Sequence, residues 1–226
     1  MTLNISKGNM YPFITDTWNT VKGKCPHDCS YCYMKRFGEQ KPIRFDESEL
    51  KTDLGEGKFI FVGSSCDMWA DGVENEWIHR TLLYCNKFKN KYLFQSKNPS
   101  RFMDFISQFP PNTILGTTIE SNKTYNEISK TPSPTNRAVS LNKISSFFST
   151  MVTIEPIMDF DNFSPIRFSL PYLVHLCKPQ WVNIGADSQG HELPEPSSEK
   201  IQSLIDNLRD ADIEVKIKSN LKRLMK

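Results

Sequence analysis

Short apolar segments alternate with longer polar stretches along most of this sequence, and this alternation limits the folds that the chain can adopt. Strands separated by helical crossovers indicate βαβ units, a parallel sheet and right-handed connections. Seven apolar segments are predicted strands, and five polar stretches between them are compatible with helices. The strand candidates are 15–22, 58–64, 91–96, 113–120, 150–157, 181–186 and 213–219, and the helix candidates are 75–88, 99–108, 137–148, 165–177 and 197–210.

Seven strands without an internal sequence repeat predict an α/β fold in the form of an open or partial (β/α) barrel. The 226 residues suffice for one sizeable core and contain no obvious linker, so we expect a single domain over residues 1–226. In barrels of this kind the chemistry lies at the carboxyl ends of the strands. Polar residues that directly follow a strand are therefore the first candidates for a functional site.

Charge and cysteine content narrow the class of protein. The 28 Lys and Arg residues nearly balance the 26 Asp and Glu residues, and the formal charge of +2 does not by itself predict a nucleic-acid-binding surface. No apolar run approaches the length of a membrane span, and the first residues do not resemble a signal peptide, so we expect a cytoplasmic protein without membrane contact. A reducing compartment also keeps the six cysteines available as thiolates.

The stretch VKGKCPHDCSYCYMKRFG carries three cysteines at the spacing Cys25-x3-Cys29-x2-Cys32. One loop of this spacing can place three thiolates around a [4Fe–4S] cluster and leave the fourth iron free to bind a substrate or cofactor. The alternative is a structural zinc site with His27 or a distant residue as the fourth ligand, in a non-catalytic nucleic-acid-binding module. No second CxxC or HxxxH pair follows, which favours the cluster.

CPHDCSYCY resembles the CxxxCxΦC signature of radical S-adenosylmethionine (SAM) enzymes, with Tyr31 as the aromatic residue before the last cysteine. The segments FVGSSCDMW, YLFQSKNPSRF, LGTTIESN, VTIEPIMDF, WVNIGADS and VKIKSN resemble a phage- and prophage-associated radical SAM family of unassigned reaction. A more distant resemblance is to spore photoproduct lyase, which reverses a thymine dimer in DNA. Together these resemblances cover most of the chain.

The resemblance implies a partial (β/α)6-type radical SAM barrel with parallel strands. It implies two cofactors, a [4Fe–4S] cluster bound by Cys25, Cys29 and Cys32, and S-adenosyl-L-methionine, with a reductant such as flavodoxin or ferredoxin as partner. The reduced cluster would donate one electron to SAM and yield a 5′-deoxyadenosyl radical that abstracts hydrogen from the substrate. Similarity to the lyase favours a nucleobase, nucleoside or DNA as substrate, and a small metabolite or peptide is the alternative.

In radical SAM folds the loop after the second strand binds the SAM amino group, often through Gly-Gly-Glu. This sequence has Gly63-Ser64-Ser65 there, so the Gly63 and Ser64 carbonyls, the Ser65 hydroxyl or Asp67 would be the acceptors. A simple turn with Ser64 or Asp67 as a helix cap is the alternative. Tyr31 would pack near the adenine of SAM, or cover the cluster from water.

Cys66 resembles the lyase cysteine that donates hydrogen to the substrate radical, because it follows the second strand and precedes an acidic residue. The alternative is that Cys66 packs as a small buried hydrophobe. Phe37, Met68, Trp69 and Trp77 lie near the front loops, where they either stack on a base or belong to the core.

Four further polar residues end predicted strands. Glu120 is expected to bind SAM, and Glu155 and Lys218 are expected to act in catalysis. Burial of an unpaired carboxylate is costly, so the two glutamates are expected to have hydrogen-bond partners at the strand ends. Asp187 is expected to contact SAM. The alternatives are salt bridges of the two glutamates with Lys97, Arg137 or Lys218, and a turn or helix cap at Asp187.

Overall fold

A computed structural model of the chain describes residues 3–161 and 168–226. The strands in these residues are β1 (Asn4–Ile5), β2 (Asp16–Trp18), β3 (Val21–Lys22), β4 (Arg44–Phe45), β5 (Phe59–Val62), β6 (Lys91–Ser96), β7 (Thr113–Thr118), β8 (Ser149–Ile154), β9 (Trp181–Ile184) and β10 (Glu214–Ile217). Eight of them form one sheet in the order β1-β2-β5-β6-β7-β8-β9-β10. Strand β1 is antiparallel to β2, and every later pair of neighbours is parallel.

Helices connect the parallel strands, as the alternating pattern predicts. The α-helices in the described residues are α1 (Asn75–Cys85), α2 (Pro134–Ile144), α3 (Leu170–Leu176) and α4 (Ser198–Asp210). The Ser133 side chain accepts a hydrogen bond from the Asn136 amide, and Pro134 occupies the first turn, so α2 begins where a serine cap and a proline favour a helix. No helix within the described ranges combines the length and the apolar character needed to cross a bilayer.

The mostly parallel sheet confirms the predicted α/β fold. Strands β2 and β10 lie at opposite ends of the parallel run, and no ladder joins them within the described residues, so the barrel is partial rather than closed.

Three expectations need correction. Segment 15–22 is not one strand, because it divides into β2 in the main sheet and β3 in a separate two-stranded sheet with β4. Segment 99–108 forms a 3-10 helix over Pro99–Phe105 instead of an α-helix. Of the helix expected over 165–177, the first three residues lie outside the described ranges, and α3 occupies the rest from Leu170.

Alternating side chains of the central strands divide the core into two parts. Tyr92 and Phe94 of β6 belong to the large cluster beneath the helices, whereas Leu93 between them belongs to a smaller cluster with Tyr11 and Ile14. The smaller cluster lies toward the amino ends of the strands. The apolar packing therefore closes that end and leaves the polar residues at the carboxyl ends.

The three cysteines of the sequence motif lie in a loop over residues 23–42, here called the cysteine loop. Its two ends are held together by β3 and β4, which pair Val21 with Phe45, and by a hydrogen bond of 2.8 Å from the Lys24 amide to the Lys41 carbonyl. Gly23 has a φ of +110°, and a Cβ atom there would lie 2.5 Å from the Pro42 carbonyl oxygen. Glycine at this position is thus required twice, by the backbone conformation and by the close approach of the returning chain.

We predict that Gly23→Ala destabilises the protein more than Gly38→Ala in the same loop. Gly38 also has a positive φ, of +83°, but a Cβ there meets nothing within 4 Å. The control should lose about 1–2 kcal/mol of unfolding free energy from backbone strain alone. Gly23→Ala should lose about 1–3 kcal/mol more, from overpacking against Pro42. Urea unfolding monitored by circular dichroism measures both, and equal losses would contradict the closed loop base.

Candidate functional site

The cysteine loop places three thiols at the carboxyl ends of the strands. Cys29 is buried, and Cys25 and Cys32 are half-buried. Cys66, from the turn after β5, lies against them: its thiol hydrogen-bonds to Cys25, which lowers the pKa of Cys25 to about 6. The same hydrogen bond, together with burial, raises the pKa of Cys66. Cys25 is therefore the thiol most ready to ionise, and Cys66 keeps its proton.

Lys97, directly after β6, brings a positive charge to the loop. Its ammonium lies 3.5 Å from the Cys29 sulfur and 4.4 Å from the centre of the Tyr31 ring, and it also donates a very short hydrogen bond to the Tyr31 hydroxyl. Burial alone would lower the pKa of Lys97, but the charges of Cys29 and Glu120 outweigh it and hold the pKa well above its ordinary value. The Lys97 amine thus stays charged.

Glu120, two residues after β7, contacts both Lys97 and Tyr31. One carboxylate oxygen lies 2.6 Å from the Lys97 ammonium and accepts a 2.5 Å hydrogen bond from the Tyr31 hydroxyl. The other oxygen lies 2.8 Å from the Arg137 guanidinium. Burial would raise the pKa of Glu120, but Arg137 and Lys97 overcome it and hold the pKa far below the usual range.

Glu120 therefore makes the salt bridges that were the alternative to SAM binding, and it does so at only 2% exposure. Its expected contact with SAM stays a prediction. Because Tyr31 lies between Cys29 and Cys32 in the loop, the hydrogen bond from its hydroxyl connects the cysteine loop to the centre of the sheet.

Asp67 makes a second connection between the cysteine loop and the sheet. One oxygen accepts from the Ser96 hydroxyl and the Lys97 amide, both at 2.9 Å, and lies 2.8 Å from His27 Nε2. The other accepts from the Trp69 amide at 2.9 Å. Burial would lower the pKa of His27, but Asp67 outweighs it and raises the pKa. Asp67 thus caps its own turn and also fixes the cysteine loop to the ends of β5 and β6.

The Gly63-Ser64-Ser65 turn is shaped by Asn19, which follows β2. The Asn19 side-chain oxygen Oδ1 accepts from the Ser65 amide at 2.9 Å and from the Ser64 hydroxyl at 3.3 Å. Gly63 has a φ of +82° and donates its amide to the Trp18 carbonyl at 2.9 Å. The Ser64 carbonyl accepts from the Tyr33 hydroxyl at 3.1 Å. Their expected role at the SAM amino group stays a prediction.

Glu155 and Lys218 meet across the ends of β8 and β10. The ammonium lies 2.6 Å from one Glu155 oxygen, and the Asn9 and Asn220 amides donate to the other at 3.0 Å each. A Cβ atom at Gly185 would lie 2.7 Å from that second oxygen, so glycine there makes room for the carboxylate. The salt bridge between Glu155 and Lys218, given as the alternative from the sequence, is present in the structure. The catalytic role of the two residues stays a prediction.

Asp187 does not meet the residues described so far. Its carboxylate accepts from the Gln189 amide at 3.2 Å and the His191 amide at 2.5 Å, and lies 2.7 Å from His191 Nδ1. This matches the turn that was the alternative for Asp187, and its SAM contact stays a prediction.

Of the four residues considered for stacking on a base, Met68 and Trp69 belong to the core, at 1% and 0% exposure. Trp77 is partly buried against Phe45, and Phe37 is exposed.

Sequence reasoning missed Asn19 and Asn220, considered His27 only as a zinc ligand, and named Lys97 without choosing it as a site residue. The available signal for His27 was its place between two cysteines of one motif. Asn19 and Lys97 each follow a strand, as the chosen candidates do. Their partners come from other strands, and no local pattern in the sequence indicates these pairs.

The thiols of the cysteine loop could serve either of two metal sites, a zinc ion or a [4Fe–4S] cluster. The described side chains include no group of three or more His, Cys, Asp or Glu residues gathered closely enough to hold a single metal ion. A zinc ion needs all its ligands at about 2.0–2.3 Å from one point. In a [4Fe–4S] cluster each cysteine binds a different iron, so the three sulfurs stand farther apart. The three thiols of the loop match in number the protein ligands of a [4Fe–4S] cluster with one open iron.

We predict that Glu120→Gln strongly destabilises the protein, because it leaves the buried charges of Lys97 and Arg137 facing each other. The loss should be about 3–5 kcal/mol of unfolding free energy. Glu214→Gln is the control, since Glu214 is exposed and 3.6 Å from Lys216, and it should change stability by less than about 0.5 kcal/mol. Adding Lys97→Met to Glu120→Gln should recover part of the loss. Additive losses in urea unfolding would contradict the coupling.

Comparison with known proteins extends over nearly the whole chain. No protein-family model matches the sequence, and no curated protein matches it. A variant of spore photoproduct lyase with bound AdoMet and dinucleoside spore photoproduct superposes with a TM-score of 0.68 at 10% identity, covering 93% of this chain and 78% of that one. A second lyase variant gives 0.65 at 10% identity, covering 95% and 79%.

SuiB of Streptococcus suis bound to S-adenosylmethionine gives a TM-score of 0.52 at 10% identity, covering 89% of this chain and 49% of that one. Both kinds of neighbour are radical SAM enzymes, and at this identity the likeness concerns the fold. The resemblance to the radical SAM superfamily, and to spore photoproduct lyase in particular, is confirmed at that level. The chain has the partial-barrel fold of the radical SAM superfamily.

Proposed function

We propose that the protein is a radical SAM enzyme that binds a [4Fe–4S] cluster through Cys25, Cys29 and Cys32 and cleaves SAM reductively. The observation that carries the proposal is the cysteine loop itself: three thiols at the carboxyl ends of a radical SAM fold, held by two buried connections to the sheet. A three-cysteine cluster keeps one iron for the amino and carboxylate groups of SAM.

When bound, the cluster and SAM supply the radical chemistry. They would supply the electron that cleaves SAM and the radical that removes a hydrogen atom from the substrate. The residues of this chain hold and shield these groups. The Lys97 ammonium, 3.5 Å from the Cys29 sulfur, would partly neutralise the negative charge of the thiolates.

The expected SAM contacts divide into two kinds. Gly63, Ser64 and Ser65 form a turn directly before Cys66, with Gly63 buried and the two serines half-buried, and we propose that they face the SAM amino group. Asp67 and Glu120 have their oxygens engaged by buried partners, which supports a positioning role for them in addition to the expected contact. Tyr31 hydrogen-bonds to Glu120, an arrangement that suits a ring covering the cluster.

We propose a nucleobase, nucleoside or DNA lesion as the substrate. Two observations support this choice. The fold resembles spore photoproduct lyase, which has been crystallised with a dinucleoside spore photoproduct. Cys66 stays protonated beside Cys25, where an S–H group can return a hydrogen atom to a substrate radical. Glu155 and Lys218 would contact the substrate from the strands opposite. A small metabolite or peptide is the second candidate substrate, and the zinc-binding module is the rival from another class.

The cluster is tested by anaerobic reconstitution of the wild type and of the Cys29→Ala and Cys85→Ala variants. The wild type should hold about four irons and four sulfides per chain and release 5′-deoxyadenosine after reduction by dithionite. Cys29→Ala should lose both properties. Cys85→Ala should keep them, because Cys85 is a buried core residue at the end of α1. Bound zinc without SAM cleavage in the wild type would contradict the proposal.

The role of Cys66 is tested in deuterated water with dinucleoside spore photoproduct as the substrate. Thiol protons exchange with solvent, so the wild type should place deuterium in the repaired product. Cys66→Ala should lower product formation by about 100-fold or more, in the range of a lost proton or hydrogen donor, while SAM cleavage continues. Cys177→Ala, which removes another buried thiol, should match the wild type. Unchanged product in Cys66→Ala would overturn the donor role.

A further inference from the structure

The cysteine loop contains an exposed turn that, apart from Tyr33, contributes to neither the proposed SAM site nor the core. The 3-10 helix Tyr33–Phe37 begins immediately after Cys32, which is its N-cap residue. The Gln40 side-chain amide donates to the Met34 and Gly38 carbonyls, at 3.2 and 3.1 Å, and holds the turn in place. A surface adjoining one of the cluster ligands is thus already ordered.

The aromatic side chains around Cys32 differ in their exposure. Tyr31 hydrogen-bonds to buried Glu120 inside the barrel. Tyr33 is 38% exposed, and Phe37, at the end of the same turn, is 62% exposed. The loop therefore has an inner side, toward the strand ends where substrate must reach SAM, and an outer side toward solvent.

Positive charge is concentrated on the outer side. Residues 22–44 contain six Lys and Arg residues against two acidic ones, whereas the whole chain has a formal charge of only +2. Two of the six are paired internally, Lys22 with Asp46 and Glu49, and Lys35 with Asp28. The other four have no ion-pair partner within the part of the chain that the structure describes: Lys24, Arg36, Lys41 and Arg44.

The Arg36 guanidinium stacks 4.7 Å from the centre of the Phe37 ring and 5.8 Å from that of Tyr33. An exposed arginine stacked on exposed aromatic rings is typical of a protein-binding surface, because arginine and aromatic residues dominate the binding energy of such surfaces. We call the set Lys24, Arg36, Phe37, Lys41 and Arg44 the basic patch.

We infer that the basic patch is the docking surface for an acidic electron-transfer protein that reduces the cluster. The inference rests on the proposed function, because it takes the cluster to be bound by the neighbouring cysteines. One electron passes from the reduced partner to the oxidised cluster, and no atom is transferred. Charge complementarity favours an acidic partner and speeds its association.

The position of the patch distinguishes this partner from nucleic acid. A reductant needs only to approach the cluster, and the patch adjoins Cys32 from outside. A nucleic acid substrate must instead bring a base to the inner side of the loop, where Tyr31 and Glu120 lie. Oligonucleotide binding to the patch is therefore an outcome that the test below treats as contradictory.

The test compares the Arg36→Glu/Lys41→Glu double variant with a Lys143→Glu/Lys222→Glu control. Both variants change the net charge equally, and the two control lysines are exposed on α2 and near the C-terminus. Affinity for an oxidised, acidic flavodoxin is measured by calorimetry at low salt. The patch variant should bind about tenfold or more weakly and with a shallower salt dependence, whereas the control should stay within about twofold of the wild type. Phe37→Ala should weaken binding without changing the charge.

A second measurement is the rate of cluster reduction. Reduced flavodoxin should reduce the patch variant more slowly than the control, while dithionite, a small reductant, should reduce all variants at the same rate. Equal effects in patch and control variants, or loss of oligonucleotide binding instead of flavodoxin binding, would overturn the inference. Failure of the proposed function is distinguishable, because it would remove dithionite-driven SAM cleavage from the wild type.

Discussion

The buried carboxylate of Glu120 is the contact on which the arrangement of this site depends. It lies between the Lys97 ammonium and the Arg137 guanidinium, and it accepts the Tyr31 hydroxyl from the cysteine loop. Two strand ends, helix α2 and the cysteine loop thereby share a single charge that is almost inaccessible to water. Breaking a buried ion pair costs far more than an exposed one, so this contact fixes the loop more firmly than its short secondary structure could.

Two other features complete the support of the loop. The strands β3 and β4 close its base, and the His27–Asp67 pair fixes its first half to the ends of β5 and β6. The cysteines are thus held from the base, from within the barrel and from the neighbouring strand ends. The side chains of the basic patch take part in none of these contacts, so their charges remain available to a partner.

Much of this arrangement was predictable from the sequence, and the remainder was not, for a physical reason. Strand and helix alternation and the cysteine spacing are local patterns, so they indicated the parallel sheet and the thiols of the loop. The two-residue strands β3 and β4 are too short to have a periodic pattern. The contacts Tyr31–Glu120 and His27–Asp67 join residues 89 and 40 positions apart, and only the folded chain determines such pairs. Sequence identified Glu120 and Asp67 by their place after strands, and Lys97 and Arg137 as possible partners of Glu120, but not the contacts with Tyr31 and His27.

The central claim is that the three cysteines leave one iron of the cluster open to SAM. Electron paramagnetic resonance with electron–nuclear double resonance, on the reduced protein with SAM labelled by ¹⁵N at its amino group, tests it most directly. We predict that SAM changes the cluster signal and that a nitrogen coupling shows direct binding to iron. A cluster signal unaffected by SAM, without nitrogen coupling, would mean that the protein supplies the fourth ligand and would contradict the claim.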